Sequence, residues 1–309
     1  MIEEIKNAKI LDIISYLKNY LQGKENAIVL SLIAIFSKGH LLIEDFPGLG
    51  KTSLVIALSK ILNLSFGRIQ CTSDLLPTDI TGLSIYNKNT GEFEFKPGPI
   101  INNIVLVDEI NRATPKTQSA LLEAMAEEQV TIDGRTYKLP QPFFVIATQN
   151  PIETFGTFPL PESQLDRFIM KISIGYPQRE AEADILKKGS SREKIHQLTP
   201  LMDKDEIIKI QNEIREIYLS DKVINWIIDF LNATRSDNRI LLGLSTRAGL
   251  ALTYTAKALA YFKNRDYVTP EDVKELIPFI VTHRIILRED FSSKEEVILS
   301  ILENISVPP

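Results

Sequence analysis

The run Pro47-Gly48-Leu49-Gly50-Lys51-Thr52 constrains this chain more than any other feature. It stands between a short apolar run, His40-Leu41-Leu42-Ile43, and a stretch from Lys51 to Leu62 with helical spacing. Strand, glycine loop and helix in that order is the arrangement in which backbone N–H groups and a helix amino terminus receive phosphate. The general pattern is G-x-x-x-x-G-K-[ST], and Gly50-Lys51-Thr52 supply its end. Its first glycine falls on Asp45. Alone, the motif favours a phosphate loop, with a plain glycine turn that starts a helix as the alternative.

Two further strand ends weigh against the plain turn. Ile104-Val105-Leu106-Val107 is a continuous apolar run, as a central parallel strand requires, and it ends in Asp108-Glu109. A carboxylate at the carboxyl end of such a strand faces the crevice where open α/β sheets bind ligands. Asp108 is the expected Mg²⁺ holder with Thr52, and Glu109 the residue that polarises an attacking water. Phe143-Phe144-Val145-Ile146-Ala147 is a similar run that leads to Gln149-Asn150-Pro151, where Asn150 could position the same water. The phosphate-binding set is Pro47, Gly48, Leu49, Gly50, Lys51, Thr52 and Ser53, with Asp108.

The rest of the chain divides in two. Residues 3–22 predict one helix with Ile5, Ile10, Ile13, Ile14 and Leu17 on a face, ended by Gly23, and a second apolar helix follows over 24–37. Alternating runs around Asn89-Thr90-Gly91 and around Asp133-Gly134 predict two hairpins. Phe93 and Phe95 in the first are read as core side chains, with ligand-contacting aromatics as the alternative. Thr114-Pro115 opens a helix, and Ile169 to Ile174 predicts a further strand. Beyond Tyr176-Pro177 the periodicity is helical, with a clear start at Thr269-Pro270-Glu271-Asp272. The expected division is 1–176, a nucleotide-binding αβα unit, and 177–309, a helical unit.

Composition narrows the setting. A net charge of -5 gives no overall basic field, so nucleic acid is not an expected partner. The single cysteine, Cys71, excludes an intrachain disulfide and is read as a small packed residue. The start Met1-Ile2-Glu3-Glu4 is acidic where a signal peptide is basic, and the apolar stretch Ala27–Phe36 is too short to span a bilayer. A cytoplasmic protein without a membrane span is expected.

Taken together these segments resemble the AAA+ superfamily, and within it the MoxR family. The likeness runs over roughly residues 20–290. It is carried by Gly39 to Thr52, by Asp108-Glu109-Ile110-Asn111-Arg112-Ala113 with Gln118 to Met125, by Gln129 through Pro151, by Leu160-Pro161-Glu162-Ser163-Gln164-Leu165-Asp166-Arg167-Phe168, and by Ser245-Thr246-Arg247-Ala248. MoxR proteins commonly lack the glycine that Asp45 replaces. Thr246 stands where the family usually has proline, and Asn264 where glycine is common. The resemblance implies an α/β fold, an AAA+ P-loop sandwich with a parallel sheet core and two hairpin insertions, followed by an all-α lid. It implies ATP hydrolysis with Mg²⁺ in a homo-oligomeric ring, taken as a hexamer, whose sites are shared between subunits. Arg167 is then the arginine given to a neighbour's site, and Arg247 the lid arginine that reaches the phosphates of its own or a neighbouring subunit. Arg112 and Arg135 are read as structural. Gly23 matches the segment that touches adenine, and is equally readable as a helix-ending glycine. A chaperone-like role with a partner bearing a von Willebrand factor A domain is implied. The alternative is a nucleic-acid-dependent motor, since relatives of the same branch include helicases.

Overall fold

A computed structural model describes residues 2–153, 156–188, 195–288 and 293–308. After a 3-10 turn at Ile2–Glu4 come α1 (Ala8–Lys18), α2 (Glu25–Phe36), β1 (His40–Glu44), α3 (Lys51–Ile61), β2 (Phe66–Gln70) and α4 (Pro77–Thr81). The hairpin β3 (Gly82–Asn87) and β4 (Glu92–Pro97) precedes β5 (Ile104–Asp108) and α5 (Pro115–Glu127). A second hairpin, β6 (Gln129–Ile132) and β7 (Arg135–Lys138), leads to β8 (Phe144–Gln149), α6 (Glu162–Leu165) and β9 (Phe168–Ile172). The remainder is α7 (Arg179–Lys188), α8 (Lys204–Glu216), α9 (Asp221–Ser236), β10 (Ile240–Leu242), α10 (Thr246–Phe262), α11 (Pro270–Val281), β11 (Ile286–Leu287) and α12 (Lys294–Glu303).

Five parallel strands form the central sheet in the order β2-β5-β8-β1-β9. Strand side chains alternate between two hydrophobic clusters. Ile104 and Leu106 of β5 join α1, α2, α3 and the carboxyl-terminal helices on one side; Val105 and Val107 join Leu121, Leu122 and Met125 of α5 on the other. Burial on both faces is why these strands read as unbroken apolar runs. α2 is buried from Ala27 to Phe36, and its one hydroxyl, Ser31, satisfies itself on the Ala27 carbonyl at 2.7 Å. Among the described residues no helix is long and apolar enough to cross a membrane.

Three differences from expectation have local causes. The helix over 3–22 is broken: Asn7 caps α1 by accepting from the Ile10 N–H, while the N–H groups of Lys6 and Asn7 both donate to the Phe262 carbonyl. A side-chain cap and a tertiary anchor restart the helix there. Phe93 is no core residue: it is 68% exposed and packs edge-to-face on Tyr86, its cross-strand partner. Phe95 is half-buried and stacks on Tyr137 of the second hairpin at 4.1 Å between ring centres. The first hairpin therefore leans on the second, whose Val130 belongs to the α5-side cluster and whose Ile132 and Tyr137 pack against it. Finally, the helical carboxyl-terminal region carries one short antiparallel sheet, β10 with β11.

Candidate nucleotide site

The loop between β1 and α3 has Gly48 at φ 85° and Gly50 at φ 90°. A Cβ at either would meet nothing within 4 Å. Glycine is required by torsion and not by space, because this left-handed backbone is costly for other residues. Asp45, in place of the pattern's first glycine, is buried. Its carboxylate accepts from the Ser173 hydroxyl at 2.8 Å and from the N–H groups of Ile174 and Gly175. It fastens the base of the loop to the segment that leaves β9.

The loop forms one wall of a cleft of about 290 Å³ at the carboxyl ends of β5, β8 and β1. Pro47, Gly48, Gly50, Lys51, Thr52 and Ser53 line it from one side, and Asp108, Glu109, Thr148 and Asn150 from the other. Partial burial pushes the Lys51 ammonium down from its ordinary pKa, against the opposing pull of Asp45, Asp108 and Glu109. Thr148 joins the Asp108 carboxylate to the Glu109 backbone: its hydroxyl donates to Asp108 Oδ1 at 3.3 Å and accepts from the Glu109 N–H at 3.0 Å. Glu109 has φ 58°, a strained value for a side chain of its kind, held by that bond. Its Oε2 accepts from Gln70 Nε2 at 3.2 Å and lies 3.3 Å from Arg112 Nε. Asn150 Oδ1 accepts from the Ile152 N–H.

The cleft suits a hard divalent cation. Thr52 and Asp108 offer oxygen only, and the described residues hold no cluster of three or more His, Cys, Asp or Glu that could cage a metal. Thr52 and Asp108 are the residues that would hold Mg²⁺, leaving the rest of its shell to phosphate oxygens and water.

Arg167 and Arg247 lie elsewhere. Arg167 immediately precedes β9, and Phe168 is in register with His40, the first residue of β1. The strands are parallel, so Arg167 is at the amino edge of the sheet and the phosphate cleft at its carboxyl edge, with the five residues of β1 spanning about 13 Å between them. Arg247, in the first turn of α10, joins the same edge, 3.6 Å from Asp166. Both arginines line a second cavity of about 390 Å³ with Lys38, Asp166, Lys257 and Arg284. Asp166 and Arg167 are adjacent in the chain but turn to different partners. Asp166 is taken by Arg284 at 2.7 Å, by Arg247 and by the Ser245 hydroxyl, and Arg167 donates to the Leu122 carbonyl.

Comparison with known proteins identifies the family. Residues 40–170 match the ATPase family associated with various cellular activities (AAA), and residues 232–302 match the AAA lid domain. Protein YeaC of Bacillus subtilis is 46% identical over 96% of this chain and 93% of its own length. Chaperone MoxR1 of Mycobacterium tuberculosis is 38% identical over 94% of this chain and 80% of its own. The chain belongs to the MoxR family of AAA+ ATPases. A crystal structure from Cytophaga hutchinsonii superimposes with a TM-score of 0.90 at 42% identity, covering 97% of this chain and 95% of that one.

Within this MoxR-family chain, two residues expected to touch nucleotide, Leu49 at the phosphates and Gly23 at the adenine, stand outside the cleft lining. Leu49 is half-buried in the loop. Gly23, at φ 69°, packs against α7 and the segment before it, where a Cβ would come within 3.2 Å of Ala181 Cβ. Arg112 pairs with Glu109 and Glu153, beside the cleft. Arg135 is exposed on β7. Sequence reasoning missed Arg68, Gln70 and Thr148, all of which line the cleft. Arg68 and Gln70 were signalled only by alternation on a strand that carries few apolar residues.

Proposed function

We propose that this chain hydrolyses ATP in the cleft between its glycine loop and the Asp108-Glu109 strand end, in a ring whose neighbouring subunit completes each site. The observation that carries this reading is the convergence of Lys51, Thr52, Asp108, Glu109 and Asn150 on one cleft while Arg167 and Arg247 occupy the opposite edge of the same sheet. Lys51 and the loop backbone hold the phosphates, with Thr52 and Asp108 placed to hold Mg²⁺. Bound Mg²⁺ supplies charge neutralisation at the phosphates. Glu109 accepts the proton of the attacking water, oriented by Asn150. Arg167 of the adjoining subunit faces the charge that develops on the transferred group. Residues 1–176 form the nucleotide-binding unit and 177–309 the lid. The name Chaperone MoxR1 borne by a relative supports a remodelling or maturation role towards partner proteins, with a von Willebrand factor A domain protein as the expected partner.

The decisive variant is Glu109→Gln. Its turnover should fall by about a hundredfold or more, while ATP affinity stays within a few-fold of wild type. Equal rates in the two proteins would remove Glu109 from the mechanism. The same variant held in ATP should retain a partner protein that wild type releases.

A further inference from the structure

Arg68 extends from β2 to the neighbouring strand end and places Nε and a terminal nitrogen on one oxygen, Asp108 Oδ2, at 2.9 and 2.8 Å. Its NH2 group also donates to Gln70 Oε1 at 3.0 Å. The other carboxylate oxygen of Asp108 is held by Thr148. The Asp108 side chain is 11% exposed and that of Arg68 47%. The carboxylate is therefore the fixed member of the pair and the guanidinium the movable one. The remaining charges of the cleft are already engaged: Lys51 donates to the Asp45 carbonyl, and Glu109 pairs with Arg112.

Resting on the ATP-site reading above, we propose that Arg68 is the resident counter-ion of the metal-holding carboxylate and sets how strongly nucleotide binding depends on a divalent cation. A bare Asp108 would repel phosphate oxygens in the same cleft. Arg68 cancels that charge when no cation is present and gives way when one is. Arg68 acts through Asp108, so it is a positioning residue. Its effect should then appear in the coupling between cation and nucleotide more than in affinity itself.

The test measures ADP binding by calorimetry, in EDTA and in excess Mg²⁺, for wild type, Arg68→Ala, Arg68→Lys and Arg68→Ala combined with Asp108→Asn. Arg68→Ala should weaken metal-free binding about tenfold and Mg²⁺-supported binding by less than about threefold, as expected for one screened charge near the phosphates. Arg68→Lys should recover most of the metal-free affinity. With Asp108→Asn in place, removing Arg68 should no longer weaken metal-free binding. Equal weakening with and without Mg²⁺, or an undiminished effect beside Asp108→Asn, overturns the proposal. If Arg68→Ala does not fold, Arg68→Gln carries the same expectation. Wild type that binds no ADP in either condition overturns the site reading itself, and the role of Arg68 with it.

Discussion

His40 opens β1 and is buried between β8 and α5. Its Nδ1 accepts from the Val145 N–H and its Nε2–H donates to the Met125 carbonyl, each at 3.1 Å. That pattern fits only the neutral ring, and burial pushes its pKa down to about 4. A histidine lowered on folding stabilises the protein above its unfolded pKa and loses that contribution as pH falls through 6.5 towards 4. By pH 5 the loss should be about 2 kcal/mol. Denaturant unfolding of wild type and His40→Gln at pH 7.5 and 5.0 checks this: the variant should be the less pH-sensitive of the two. Asp45 makes the complementary point about what single residues reveal. As a letter it is a gap in a glycine pattern; its value lies in three donors more than 125 positions away, Ser173, Ile174 and Gly175. No local pattern records such a partner. Lys51, Thr52, Asp108 and Glu109 were legible because phosphate and cation chemistry demands those groups at strand and helix ends. Arg68, which the same chemistry does not demand, was not.

At the scale of elements, α10 begins with Ser245 as cap, its hydroxyl accepting from the Ala248 N–H, and Thr246 as first residue. Ser245 is extended, at φ -77° and ψ 167°, as a residue before proline must be. Thr246 is exposed, and the first helical N–H has no intrahelical partner to lose. Thr246→Pro should therefore raise stability by about 0.4–1 kcal/mol, mainly by restricting the unfolded chain. A thermal midpoint that falls would show that the helix start must flex. Asn264 has the same logic in reverse: φ 57° explains why glycine serves at this position and why asparagine is tolerated. Elements defined by their own sequence, such as α3, β5 and the two hairpins, were legible to within a residue or two of their ends, and α11 at its start. β2 was not. Gly67 and Ile69 are buried, Phe66 is half-buried against the larger cluster, and Arg68 and Gln70 are exposed, and a Cβ on Gly67 would lie 2.1 Å from the Pro99 carbonyl oxygen. That strand exists because β5 pairs with it along its length and a loop crosses close above it. Long-range pairing of this kind leaves little trace in a five-residue window.

At the scale of the whole molecule, the two halves of the proposed active site point in opposite directions. The phosphate cleft is at the carboxyl edge of the sheet, and Arg167 and Arg247 are at the amino edge. A surface that offers one half and needs the other is head-to-tail, and repetition of such a contact closes a ring when the rotation allows. The consequence can be counted. Lys51→Ala removes the phosphate grip of a subunit's own cleft, and Arg167→Ala removes what it lends to its neighbour. Each variant alone should form rings without appreciable turnover. In rings assembled at random from equal amounts of both, a competent site needs an intact Lys51 on one side and an intact Arg167 on the other. The two choices are independent and each has even odds, so up to about a quarter of the sites should recover. Co-expression with two affinity tags isolates rings that contain both chains, and their ATPase rate per site gives the answer. Recovery near that fraction assigns Arg167 to the neighbour's site. Verified mixed rings with no recovery would place its role within its own subunit, despite the length of β1 that separates it from the cleft.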